Sequence, residues 1–362
     1  MRATLQAIHN HPKFRLVLIV TGTHLSRKFG NTIHLILKDG FPIGARIRIP
    51  DRTSPRDVAR NLGKLVGKIA AILQRIDPDL VLLEGDRYET LACAIAAAYM
   101  NVPIAHVSGG DVSGSIDDAA RHAITKFANL HFPGTRRSAE RIKKMGEEPW
   151  RVAMVGTVGA DERVPSASLA RRVAAELGLR VNRPIILVSQ HPVPAEEKQA
   201  RAQMECTMRA LIQLKHQTLV FYPNQDAGAD DIISVINRYR HLPFIHVIKS
   251  LPREEFLALM RIATVMVGNS SAGIVEAPSF KLSAVNIGTR QQGRERAANV
   301  VDVAYNTAAI KRAIRIVMNP AFRRKLSHMS NPYRGRKTPQ RIAHILATTS
   351  LDMRLLHKRF TY

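Results

Sequence analysis

The stretch TVMVGNSSAGIVEA (264–277) sets the fold class. Thr264 to Val267 read as a short buried strand, and the small residues that follow turn the chain into a helix. The same unit recurs in both directions. Upstream strands are predicted at 15–20, 79–84, 103–107 and 152–155, then at 184–189, 218–222 and 245–248, with 284–287 downstream. Helices are predicted between them at 55–76, 89–100, 117–128, 136–145, 196–214, 229–240, 253–262, 271–279 and 306–318. Continuous apolar strands alternating with helices indicate parallel sheets covered on both faces. Two such series predict an α/β protein of two doubly wound, Rossmann-like units. The first ends near Asp161, and the charged stretch 162–183 with Pro165 reads as the connection. The expected domains are 1–165 and 166–335, with a basic segment at 336–362.

The 362 residues suffice for two cores, and 45% hydrophobic content excludes a disordered chain. Two cysteines, Cys93 and Cys206, exclude a disulfide scaffold and a cysteine zinc site. No apolar run reaches the ~18 residues of a membrane span, and the N-terminus lacks a signal-peptide core. These features predict a soluble, cytoplasmic protein. The net charge of +25 raises anionic partners, but it is uneven. Residues 311–362 hold 13 Lys or Arg against Asp352 alone, whereas 79–118 hold seven acids against Arg87 alone. An acidic segment in a basic chain is either a set of caps and solvated acids or a carboxylate cluster for proton transfer.

In doubly wound sheets ligands bind beyond the carboxyl ends of the strands. In GNSSAGIVEA, Ser270, Ser271 and Gly273 fit an anion site at a helix start, with Glu276 placed to accept from a ribose; an ordinary Ser cap with a packing glycine fits as well. EGDRYE (84–89) puts Asp86 just past a strand. HVSGGDVSGSIDD (106–118) carries Asp111 and the pair Asp117 and Asp118, one of which also fits a helix cap, with His122 a turn beyond Asp118. His191 in SQHPVP follows the first strand of the second series as an acid, base or phosphate contact. YPNQD (222–226) offers Asn224 and Asp226 to a sugar or base. No metal-ligand constellation is evident, so no metal or cofactor is predicted.

These motifs, with GTHLSRKFGNT (22–32) and GTRQQGRERAANVVD (288–302), occur in one order and closely resemble the UDP-N-acetylglucosamine 2-epimerase family, nearest its hydrolysing branch that feeds sialic and legionaminic acid synthesis. The resemblance runs from about residue 5 to residue 345. It implies a glycosyltransferase-B-like fold, two Rossmann-like domains enclosing a cleft, with the basic C-terminal helix of 336–362 returning to the first. It implies a UDP-sugar substrate held by Ser270, Ser271, Gly273, Glu276 and Arg294, with Asn224 nearby and His191 facing the diphosphate. Asp86, Asp111 and Asp117 or Asp118 would then move protons on the sugar. It also implies a homodimer and anti elimination of UDP, followed by hydration of the glycal to a free N-acetylmannosamine-type sugar.

The family opens with a further strand and an Arg-bearing loop, so the first domain is expected to lack its opening strand, roughly 20 residues by the geometry of a doubly wound unit. That loss would open two strand edges. Alternatives are a non-hydrolysing 2-epimerase and a truncated, inactive sugar-nucleotide binder. A basic nucleic-acid or membrane-surface protein is a third, supported only by the tail. The tail has few aromatics and no recognition motif, which argues against nucleic acid.

Overall fold

In the computed structural model, residues 1–50, 54–114, 116–161 and 163–361 are described. Residue 115 of the 106–118 motif and the tail's last residue, 362, lie outside them. The chain divides into two compact units, residues 1–162 with 333–362, and residues 163–332.

The second unit carries β6 (Ile185–Ser189), β7 (Gln217–Phe221), β8 (Ile245–Ile248), β9 (Val265–Gly268), β10 (Ser283–Ile287) and β11 (Val300–Val303). The first carries β1 (Leu18–Thr21), β2 (Ile43–Ile47), β3 (Val81–Glu84), β4 (Ile104–Val107) and β5 (Leu130–Phe132). Helices α1 (Arg2–His9), α2 (Ile33–Lys38), α3 (Pro55–Ile76), α4 (Tyr88–Tyr99), α5 (Ile116–Phe127) and α6 (Arg136–Lys144) belong to the first unit. Helices α7 (Ala167–Glu176), α8 (Ala200–Leu214), α9 (Ala229–Tyr239), α10 (Arg253–Ile262), α11 (Ala272–Val275), α12 (Thr307–Met318) and α13 (Pro320–Lys325) belong to the second. The chain ends in the first unit with α14 (Thr338–Thr348) and α15 (Met353–Leu356).

The six strands of the second unit are all parallel, in the order β8–β7–β6–β9–β10–β11. Counted from β6, this is the 3-2-1-4-5-6 order of a doubly wound sheet. Alternate residues of β6 face opposite cores: Ile186 and Val188 pack with α8, α9 and α12, while Ile185 and Leu187 pack with α7 and α10. A strand buried on both faces must be apolar throughout, which is why it was legible. Helix α7 corrects the expected connection at 162–183, because Val173 and Ala174 are core residues.

The first unit holds β1–β2 and β3–β4–β5 as two separate parallel pieces. Among the described residues, β1 pairs only with β2 and β3 only with β4, so each presents an open edge. Leu65, Ile69 and Leu73 of α3, spaced by four, cover one face together with α4. Ile8 of α1 and Ile342 of α14 cover the other over Val107 and Phe132. The strand expected at 152–155 is reduced to one bridge, His131 to Val152.

The basic tail consists of two short helices and an extended end. Arg341 in it donates to the Met154 carbonyl (2.8 Å). Buried Arg151 donates to the carbonyls of Leu355 (2.7 Å) and Arg354 (2.7 Å). Lys358 donates to the carbonyls of Lys126 (2.8 Å) and Ala128 (2.7 Å), capping α5, and pairs with fully buried Glu147 (2.7 Å). No described helix is long and apolar enough to cross a membrane.

Candidate functional site

Each unit gathers the expected residues at the carboxyl ends of its strands. In the first, Asp86 follows β3, Asp111 follows β4, and Asp117 and Asp118 open α5. The hub is Arg121, which the sequence reading missed. It is 2% exposed and lies one turn into α5. Its guanidinium donates to the Asp86 carboxylate, to Asp118 Oδ1 (2.7 Å) and to the Asp111 carbonyl (2.9 Å). The loops after β3 and β4 are thereby tied to one buried cation on α5. Asp111 itself is buried and accepts from the Ser138 hydroxyl (2.6 Å).

The pair Asp117 and Asp118 divides unequally. Asp118 accepts from the Ser113 amide (2.7 Å), the Ser113 hydroxyl (2.7 Å) and the Gly114 amide (2.6 Å), besides Arg121. Burial raises its pKa, but these donors outweigh burial and hold the carboxyl below the ordinary carboxylate value. Asp118 therefore anchors its loop, and its lone pairs are already engaged by four donors.

Below the carboxylates lies His106, fully buried on β4. Its Nε2 donates to the Gly85 carbonyl (2.8 Å), fixing the turn that carries Asp86. Burial pushes its pKa down to about 4, so the ring is neutral. Two backbone features shape the next loop. Ser108 takes φ 64°, a left-handed conformation that few non-glycine residues adopt. Gly110 (φ 77°) passes so close to α6 that a Cβ there would lie 2.4 Å from the Ser138 carbonyl. His122 has Nδ1 buried with no partner among the described residues, and burial, then Arg121, lowers its pKa.

In the second unit the switch point of the sheet falls between β6 and β9, whose loops carry His191 and the Gly268–Gly273 run. Gly268 (φ 127°) allows the two loops to touch, since a Cβ there would sit 2.2 Å from the Ser189 carbonyl. Asn269, fully buried and also missed from sequence, accepts from the His191 amide (2.6 Å) and donates to the His191 carbonyl (2.8 Å). The Asn224 amide donates to Nδ1 of His191 (3.0 Å), so the neutral ring carries its proton on Nε2. Asn224 thus acts on this site through its backbone.

The chain of contacts continues outward. Gln291 donates to the Asn269 carbonyl (3.1 Å), and Arg294 donates to Gln291 Oε1 (2.8 Å). The helix after Ser271 is shorter than expected: α11 covers four residues, followed by a 3-10 turn at Ala277–Phe280. A helix this short has little dipole, so an anion there would be met by local hydroxyl and amide groups. Glu276, at the junction of the two, pairs through Oε1 with Arg253 (3.0 Å).

The unit-by-unit geometry agrees with known proteins. A family model described as UDP-N-acetylglucosamine 2-epimerase matches residues 6–347. The hydrolysing UDP-N,N'-diacetylbacillosamine 2-epimerase of Legionella pneumophila is 36% identical, over 100% of this chain and 96% of its own. The hydrolysing GDP/UDP-N,N'-diacetylbacillosamine 2-epimerase of Campylobacter jejuni is 31% identical, over 99% and 94%. Among solved structures, the Neisseria meningitidis UDP-GlcNAc 2-epimerase bound to UDP-GlcNAc shares the fold at TM-score 0.81 and 16% identity, over 96% of each chain. With a family match across nearly the whole sequence and relatives above 30% identity over 96% and 94% of their own length, this chain belongs to the UDP-N-acetylglucosamine 2-epimerase family.

Proposed function

We propose that this chain is a hydrolysing 2-epimerase that takes a UDP-linked 2-acetamido sugar, UDP-N-acetylglucosamine or its diacetamido analogue, and releases UDP and the free 2-epimerised sugar. The observation that carries this reading is one buried arginine, Arg121, that binds the carboxylates of Asp86 and Asp118 and the carbonyl of Asp111, and so draws the acidic residues after β3 and β4 together. The names of the Legionella and Campylobacter relatives support the hydrolysing branch.

A carboxylate among Asp86, Asp111 and Asp117 takes the proton from carbon 2 while the bond from carbon 1 to the diphosphate oxygen breaks. UDP leaves with that electron pair, and a glycal remains. Water then adds its hydroxyl to carbon 1, and carbon 2 receives a proton on the opposite face. Ser270, Ser271 and Gly273 take the diphosphate, and His191 donates to it through Nε2, stabilising charge as it develops. Arg294 adds a positive charge beside the nucleotide, and Glu276 accepts from the ribose.

The test is product identification by NMR with both nucleotide sugars. Free 2-epimerised sugar and stoichiometric UDP are expected. Interconversion of intact UDP-sugars without UDP release would overturn the hydrolysing reading. A homodimer is part of the same proposal, and sedimentation of the purified chain tests it.

A further inference from the structure

Glu276 uses only one of its oxygens within the protein. Oε1 accepts from Arg253 at 3.0 Å, while Oε2 is buried and has no partner among the described residues. A buried carboxylate oxygen without a donor is costly, so the pair is incomplete as it stands. A ligand hydroxyl donating to Oε2 would complete it.

Arg253 is unusual where it stands. It is the first residue of α10, where the helix dipole disfavours a cation, and a carboxylate would serve the helix better. Its guanidinium lies 6.0 Å from the ring centroid of Phe256, which meets Phe221 edge to face at 5.4 Å. Phe221 closes β7, so the arginine is braced against the sheet. Arg253 is about one third exposed and Glu276 much less so. The charge at the head of α10 thus does little for its own helix and points at a carboxylate in the neighbouring loop.

We infer that Arg253 is a positioning residue that locks Glu276 by Oε1, aims Oε2 at one hydroxyl of the nucleotide ribose, and so makes the site selective for ribonucleotides over their deoxy analogues. This rests on the proposed ribose role of Glu276. Arg253 touches no reacting atom. A lysine there keeps the charge but loses the planar fork that fixes a carboxylate in one orientation.

The experiment is calorimetric binding of UDP, 2′-deoxy-UDP and 3′-deoxy-UDP to the full chain. Wild type is expected to bind UDP at least about tenfold more tightly than one of the two analogues, because the deleted hydroxyl leaves a charged acceptor unpaired. In Arg253→Met the preference is expected to fall below about threefold, and KM for the sugar nucleotide to rise by a larger factor than kcat falls. Arg253→Lys should give an intermediate preference. A wild-type preference that survives undiminished in a folded Arg253→Met protein overturns the role of Arg253 and leaves the ribose contact standing. A wild type indifferent to both deoxy analogues overturns the ribose role of Glu276, and the inference with it. Should Arg253→Met fail to fold, Arg253→Lys carries the decision, and a preference equal to wild type there overturns the proposal.

Discussion

Replacing Arg121 by Gln isolates the feature on which the proposed chemistry rests. The guanidinium makes three hydrogen bonds, and their loss is unequal. Asp118 keeps its three donors from Ser113 and Gly114. Asp86, whose side chain is 24% exposed, loses its counter-ion and recovers part of the loss from water. Breaking a buried pair by removing one partner costs about 3–5 kcal/mol, and the surviving donors place this case near 3. The unit that contains Arg121 spans residues 1–162 and 333–362. For that size, about 3 kcal/mol lowers Tm by roughly 6–12 °C. Displacement of Asp86 should also cut kcat by roughly 100-fold or more, the usual range for loss of a positioned acid or base. Thermal unfolding by circular dichroism and UDP release under saturating substrate measure the two effects. Arg121→Lys should recover part of the stability and little of the rate, because an ammonium cannot hold two carboxylates and a carbonyl in one plane. An Arg121→Gln protein that melts within 2 °C of wild type and turns over within about threefold of it would refute the reasoning.

Three further outcomes follow from the packing. His106 has its pKa lowered by burial from 6.5 to about 4, so the unfolded chain takes the proton first and stability should fall as pH drops from 6.5 toward 4. The full effect is about 3 kcal/mol; denaturant titrations at pH 7 and pH 4.5 should show a smaller loss in His106→Gln, whose amide still reaches the Gly85 carbonyl. Lys358→Met removes one of three groups that, against the opposing effect of burial, hold the Glu147 pKa down to about 2; it should cost about 3 kcal/mol and free the tail for tryptic cleavage after Arg354, seen by mass spectrometry. Gly268→Ala places a Cβ 2.2 Å from the Ser189 carbonyl at φ 127°, so a loss of at least about 3 kcal/mol is expected in chemical denaturation.

What the sequence showed and what it hid have physical reasons. Helix α3 was read with both ends in place because its signals are local: Ser54 caps the Asp57 amide, Pro55 starts the helix, and Asp77 ends it in the left-handed region. The β6 and β9 strands were legible because burial on both faces leaves an unbroken apolar run. Two of the edge strands lack that signature. β2 is IGARI, with Gly44 and Arg46 exposed, and β11 is VVDV, with Asp302 exposed; neither shows the pattern. Helix α7 was hidden by its charged outer face. In the site, strand ends located the carboxylates, because the topology of a doubly wound sheet fixes where loops gather. Arg121 and Asn269 were not legible. An arginine three residues after an aspartate usually reads as a surface pair, and only the fold of two other loops over α5 makes it a buried hub.

Carboxylates clustered without a cation would raise one another's pKa and so divide acid from base. With Arg121 among them, mutual repulsion is no longer the organising effect, and the donors on Asp118 mark it as an anchor. Asp118 has both oxygens engaged by donors and lies below the ordinary carboxylate range, which suits an anchor and opposes a proton carrier. Its neighbour Asp117 lies one step around the helix, on the same first turn of α5. The two isosteric variants should therefore part company. Asp118→Asn keeps one acceptor, either for Ser113 and Arg121 or for Gly114, and sets an amide against the other donors, so Tm should fall by several degrees, with a loss of about 1–3 kcal/mol, and activity should follow the folded fraction. Asp117→Asn should lose roughly 100-fold or more in kcat per folded molecule. The discriminating quantity is kcat per folded molecule, from active-fraction titration with UDP alongside thermal melts. If Asp118→Asn is the variant that keeps its stability and loses its chemistry, occupancy does not assign the roles, and the like-charge account of the segment must return.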